Sequence, residues 1–164
     1  MLLISFNSYA LLPTESDDYD KKSVIINLDA ILKVAEENAT LSGRKILETG
    51  RLMVANEDII IGSCWDFINA VYINTGFPSA YRKTTFKSKL VGPYDTDAQI
   101  ESGDWLYFIN HSYGNVEHSG IFIAWTNLET KQALVLSYAG GNQAKPGRYK
   151  MYDLRSVYNI IRTK

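Results

Sequence analysis

The chain has a single cysteine, Cys64, in 164 residues. One thiol excludes an internal disulfide framework and a structural zinc site of the multi-cysteine kind. Neither sign of charge is in excess: 17 Lys and Arg stand against 18 Asp and Glu, for a formal net charge of −1. That balance argues against a nucleic-acid partner, which needs a Lys/Arg surplus on one face. No apolar run approaches the roughly 20 residues that cross a bilayer as a helix, so no transmembrane segment is expected. Histidine is scarce as well, with only His111 and His118. What remains is an ordinary globular composition, 46% hydrophobic and 21% charged. The length suits one domain with a real core, and no internal repeat is evident.

The N-terminal residues 1–26 are expected to form an arm or a partial signal remnant, followed by a single domain over 27–164. Met1 to Phe6 followed by Ser8-Tyr9-Ala10 has the small-x-small pattern of a cleavage site, but lacks a positive n-region and a long apolar stretch. A short strand from Leu2 to Phe6 is the alternative. Asn27 can cap a helix from Leu28 to about Ala39, with Leu28, Ile31, Leu32 and Ala35 on one face. A second helix is expected from Gly43 to Val54, interrupted in composition by Gly50.

The stretch Gly62-Ser63-Cys64-Trp65-Asp66-Phe67-Ile68-Asn69-Ala70-Val71-Tyr72 reads as the start of a third helix. Ser63 suits an N-cap, and Asp66 sits where a carboxylate reaches back to the cap's amide. Phe67, Ile68, Val71 and Tyr72 share one face, and Gly76 with Pro78 marks the end. Cys64 then occupies the first helical position, where free N–H groups and the helix dipole favour a thiolate. A lone cysteine is also often just a small buried hydrophobe.

Residues 79–102 show no clear period and read as a long connection, either solvated or substrate-binding. From Gly103 the period becomes strand-like, with runs at 104–109, 117–125, 133–139, 148–154 and 157–161 rich in aromatic and β-branched residues. Helices first and antiparallel strands afterwards make an α+β fold, with N-terminal helices packed on a central antiparallel sheet of about five strands. Trp105, Tyr107, Phe108, Phe122 and Trp125 are expected to be core.

A cysteine nucleophile needs a base. His111 lies in the turn-rich Ile-Asn-His-Ser-Tyr-Gly-Asn and reads as a surface loop residue. His118 opens His118-Ser119-Gly120-Ile121-Phe122-Ile123 and, from the start of a central strand, can project toward a helix packed across the sheet. If that helix carries Cys64, the imidazole can take the thiol proton. Gly120 would leave room for a substrate backbone. Arg148, Tyr149 and Lys150 either line one end of the groove, where they can meet a carboxylate, or form a solvated hairpin.

Three segments in order, Gly62 to Phe67, Ser102-Gly103-Asp104-Trp105-Leu106-Tyr107-Phe108, and His118 to Ile123, resemble the NlpC-type cell-wall peptidases and the related CHAP amidases. The resemblance covers about residues 58 to 140. It implies a papain-like fold of the NlpC type, with Cys64 as nucleophile, His118 as base and a third polar residue on the next strand. That strand reads Ala133-Leu134-Val135-Leu136-Ser137-Tyr138-Ala139, which makes Ser137 the third candidate where the family commonly has His, Asn, Gln or Glu. Ser63, Trp65, Ser119 and Tyr138 are the neighbouring candidates for substrate binding. Many members carry a tyrosine about a dozen positions before the cysteine; none lies between Tyr19 and Tyr72 here.

The implied activity is hydrolysis of an amide or peptide bond through a Cys–His acyl-enzyme, with a peptide or muropeptide of peptidoglycan as substrate, and no cofactor or metal. The cell envelope, periplasm or exterior would be its place. Two other classes stay open: a binding module that kept this fold after its third residue weakened, and an acyltransferase on the same scaffold.

Overall fold

The computed structural model describes residues 28–95, 99–140 and 145–164. The arm over 1–26, the strand from Leu2 to Phe6 and the cap at Asn27 lie outside the described residues. Among the described residues, three helices pack on a six-stranded antiparallel sheet. Helix α1 covers 28–38, α2 Leu41–Ala55 and α3 Cys64–Asn74. The strands are β1 Arg82–Lys87, β2 Trp105–Asn110, β3 Val116–Asn127, β4 Gln132–Ser137, β5 Arg148–Asp153 and β6 Val157–Thr163. Their order across the sheet is β1-β6-β2-β3-β4-β5. Among the described residues, no helix is long and apolar enough to cross a membrane.

Five of the strands and all three helices lie where the periodicity places them, within a few residues. Strand β1 is the addition, inside the stretch that reads as having no period. Its residues, Arg-Lys-Thr-Thr-Phe-Lys, carry only one large apolar side chain, and it pairs at the sheet's edge with β6 alone. An edge strand with solvated faces has little alternation to show.

The sheet has two apolar faces. On one, Trp105, Ile121, Ile123, Leu134, Leu136 and Tyr138 pack with Ile46, Leu47, Met53 of α2 and Phe67, Ile68, Val71, Tyr72 of α3. On the other, Leu106, Phe108, Phe122, Ala133, Val135, Tyr152 and Ile160 form a second cluster. The aromatic strand residues Trp105, Phe108 and Phe122 are thus buried, as expected. At Gly50 α2 packs directly on the sheet: a Cβ there would lie 2.5 Å from Leu136 Cδ2. The glycine that weakens the helical pattern is the one that lets the helix dock.

Asp104 anchors the entry to β2. Its side chain is 1% exposed and takes a two-pronged contact from Arg162 on β6, with Nε to Oδ1 and Nη2 to Oδ2 both 2.7 Å. Arg162 also donates to Glu101 Oε1 and to the carbonyl of Gln99, and the Glu101 amide donates to Asp104 Oδ2 at 2.8 Å. Burial pushes the Asp104 carboxyl up from its usual range, against the pull of Arg162. The Gly103-Asp104 pair is therefore a structural joint, holding the turn before β2 to β6.

Candidate active site

The start of α3 is built as its sequence predicts. Ser63 is the N-cap: its Oγ accepts from the Trp65 amide at 3.2 Å, and its own amide donates to Asp66 Oδ2 at 2.7 Å. These bonds hold the Asp66 carboxyl below the ordinary carboxylate range. An α-helix leaves its first-turn N–H groups without intrahelical acceptors. With the Trp65 amide taken by the cap, the Cys64 N–H has no acceptor among the described residues and stands beside its own sulfur. Gly140 lies directly against this corner, at φ +72°, and a Cβ on it would come within 2.9 Å of Ser63 Cα and 3.0 Å of Cys64 N. No L-residue with a side chain adopts that conformation and that approach without strain.

Cys64, half-buried at the head of α3, and His118, half-buried near the start of β3, line the same two cavities. The larger is a groove of about 390 Å³ whose walls include Asn110, Arg148, Lys150 and Tyr152. The smaller, about 160 Å³, lies toward Trp65, Tyr107, Ser119 and Tyr158. Thiol and imidazole thus stand on the wall that the two hollows share.

His118 arrives there by a different route from the one expected. It pairs with Phe108 across β2 and has the parity of Gly120 and Phe122, which puts it on the face opposite to α3. Its ring meets Phe108 at 5.5 Å and Tyr152 at 5.4 Å, centroid to centroid. It therefore reaches the Cys64 cavities at the end of the strand, not across the sheet. Gly120 is buried, and the space beside it holds Val135 and the Leu136 carbonyl, 2.4 and 2.8 Å from where a Cβ would stand. It serves strand packing and leaves no room for a substrate.

The second ring nitrogen of His118 has a partner that the sequence does not announce. Tyr152 Oη lies 3.2 Å from His118 Nε2 and donates to Ser137 Oγ at 3.1 Å. With the phenol proton directed to Ser137, the phenol oxygen accepts from Nε2–H, and Nδ1 keeps the lone pair. Ser137 is thus joined to His118 through Tyr152. Burial raises the Tyr152 pKa, so the phenol is neutral and can play both parts. Burial, with Arg148 and Lys150 adding to it, pushes the His118 pKa down to about 4. At neutral pH the imidazole is uncharged, the form that accepts a proton.

The remaining candidates divide by face. Ser63 lines the larger groove. Trp65 lines the smaller, donating from Nε1 to Tyr107 Oη at 2.8 Å. Ser119 also lines the smaller cavity, and its buried Oγ has no partner among the described residues. Tyr138 points to the helical side, stacked on Phe67 at 4.7 Å with its hydroxyl donating to the Ile60 carbonyl at 2.7 Å, and lines neither cavity. His111 is tied into its loop, with Nδ1 2.9 Å from Asn115 Oδ1 and Nε2 2.9 Å from Ser156 Oγ. Among the described residues no group of three or more His, Cys, Asp or Glu is placed to hold a metal.

Comparison with models of protein families, with curated proteins and with solved structures finds no match to this chain.

Proposed function

We propose that the protein is a cysteine hydrolase that cleaves an amide or peptide bond through a Cys64 acyl-enzyme. The observation that carries this reading is the meeting of Cys64 and His118 on one groove, with the far nitrogen of the imidazole engaged by Tyr152. A neutral imidazole beside a thiol is the pair that nucleophilic acyl transfer needs.

The chemistry follows from the placement. Sγ of Cys64 attacks the carbonyl carbon of the amide as Nδ1 of His118 takes the thiol proton. The developing oxyanion meets the Cys64 N–H at the positive end of α3. His118 gives its proton to the departing amine, and the C–N bond breaks to leave a thioester. Water, losing a proton to the same imidazole, then attacks the thioester. The acid is released and the thiol restored. The Tyr152–Ser137 pair holds the imidazole in the tautomer that this sequence of transfers uses.

Resemblance to the NlpC-type peptidases makes peptidoglycan peptides the first substrates to offer. Wild-type protein and Cys64→Ala are incubated with purified muropeptides and the products read by mass spectrometry. Cleavage by the wild type alone supports the reading. Equal cleavage by both removes Cys64 from the mechanism. Binding of muropeptides without cleavage by either favours a binding module on this fold.

A further inference from the structure

The two hollows flanking Cys64 differ in charge. Glu117 lines both; the smaller adds Trp65, Tyr107 and Tyr158, whereas the larger adds two cations, Arg148 and Lys150. These stand two residues apart on β5, on the face that Tyr152 shares, and the Lys150 ammonium lies 5.4 Å from the Tyr152 ring centre. Neither forms an ion pair with an acid among the described residues. The acid that does line the groove, Glu117, accepts a hydrogen bond from Tyr158 Oη at 2.9 Å. Two cations against one carboxylate leave the groove net positive, and positive charge in a concave wall attracts an anion more strongly than the same charge on an open surface. An arginine also offers a planar fork suited to two oxygens at once.

We propose that the Arg148–Lys150 side of the groove binds an anionic oxygen group of the substrate, a carboxylate or a phosphate, beside the amide bond that is cleaved. This rests on the hydrolase reading and adds a substrate class to it: acylated amines charged on one side of the scissile bond. The hollow on the other side of Cys64, walled by three aromatic side chains and Glu117, takes a portion that carries no negative charge.

Two thiol reagents test it without a known substrate. Iodoacetate and iodoacetamide both alkylate a thiolate with loss of iodide, but only the first carries a carboxylate. The quantity to measure is the ratio of their rates at Cys64 near pH 7, divided by the same ratio for N-acetylcysteine. The expected value is about tenfold above one for the wild type and falls as salt is raised. In Arg148→Gln/Lys150→Gln it returns to about one. Any change these substitutions make to His118 acts on both reagents and cancels in the ratio.

A wild-type ratio of one, unmoved by the substitutions while Cys64 still reacts faster than N-acetylcysteine, overturns the anion site and leaves the hydrolase reading standing. A Cys64 no faster than N-acetylcysteine with either reagent overturns both. Acetate and inorganic phosphate, added at equal ionic strength, then tell the two anions apart. Slowing of iodoacetate by the first assigns a carboxylate, by the second a phosphate, and by neither removes the site.

Discussion

The hydroxyl of Tyr152 lies 3.2 Å from Nε2 of His118, so a phenol from β5 holds the far nitrogen of this imidazole. In the proposed hydrolysis it is a positioning residue, touching the base and not the bond that would react. Tyr152→Phe removes the acceptor for Nε2–H and releases the tautomer. A hydrogen bond worth about 1.4 kcal/mol in the transition state corresponds to about a tenfold loss. The fall is expected in kcat with KM unchanged. The nitrogen chemical shifts of His118, measured by NMR, should change from an Nε2–H pattern to a mixture. Ser137→Ala frees the phenol proton to turn toward His118 and should produce the same mixture with a smaller loss.

The depressed His118 pKa has two consequences in acid. The neutral base persists to about pH 4, so the acid limb of kcat/KM should lie well below the 6.5 of an ordinary imidazole. Arg148→Gln removes one of the charges that push it down and should move the limb toward higher pH.

Stability follows the same group with a definite sign. The unfolded chain takes up a proton on this imidazole at about 6.5, the folded one only at about 4. The unfolded state therefore binds more protons between these values, and stability is lost as pH falls from 6.5 to 4. The contribution is about 3 kcal/mol. Denaturant titrations at pH 7.5 and pH 4 should show that much additional loss in the wild type over His118→Gln.

The ion pair of Asp104 and Arg162 gives a test of the fold that is independent of chemistry. Asp104→Ala removes two of the oxygens that hold the Arg162 guanidinium, leaving it Glu101 and the Gln99 carbonyl, and should destabilise by about 2 kcal/mol. Replacing both partners by Leu and Met leaves no charge to strand and should cost less. Thermal melts of the single and double variants decide it.

Gly140 guards the Cys64 amide. Gly140→Ala imposes a Cβ 3.0 Å from that nitrogen and strains a φ of +72°. Displacing the donor should lower kcat by at least about tenfold. The unfolding midpoint should move by only a few degrees. A parallel collapse of activity and fold would instead assign Gly140 to packing alone.

The elements and the head of the site were legible because their signals are local. Ser63, Asp66 and the Phe67–Tyr72 stripe specify the start and buried face of α3 within a dozen residues. Strands β2 to β6 announce themselves by apolar and aromatic density. The face on which His118 lies was not legible. It depends on which parity of β3 meets α3, and neither parity is polar enough to exclude the other. Nor was Tyr152, which is one tyrosine among 11: its register partner on β4 is Ala133, and only the reach of its side chain brings the hydroxyl to Ser137 and His118. Strand β1 escaped because its neighbour on the sheet, β6, lies some 75 residues away in sequence.

His118 is clamped between Phe108 and Tyr152 on one side of the sheet, while Cys64 rides on a helix seated on the other side. Sulfur and imidazole therefore belong to separate mechanical units, joined through the bed of α3, the Trp65–Tyr107 bond and the Gly140 contact. A shift of that helix by a fraction of an ångström alters their separation without breaking any bond of either unit. Substitutions far from the groove, such as thinning Val71 or the Phe67–Tyr138 stack, should accordingly blunt turnover before they lower the melting point. In the proposed hydrolysis the seat of the helix would then count for as much as the two side chains.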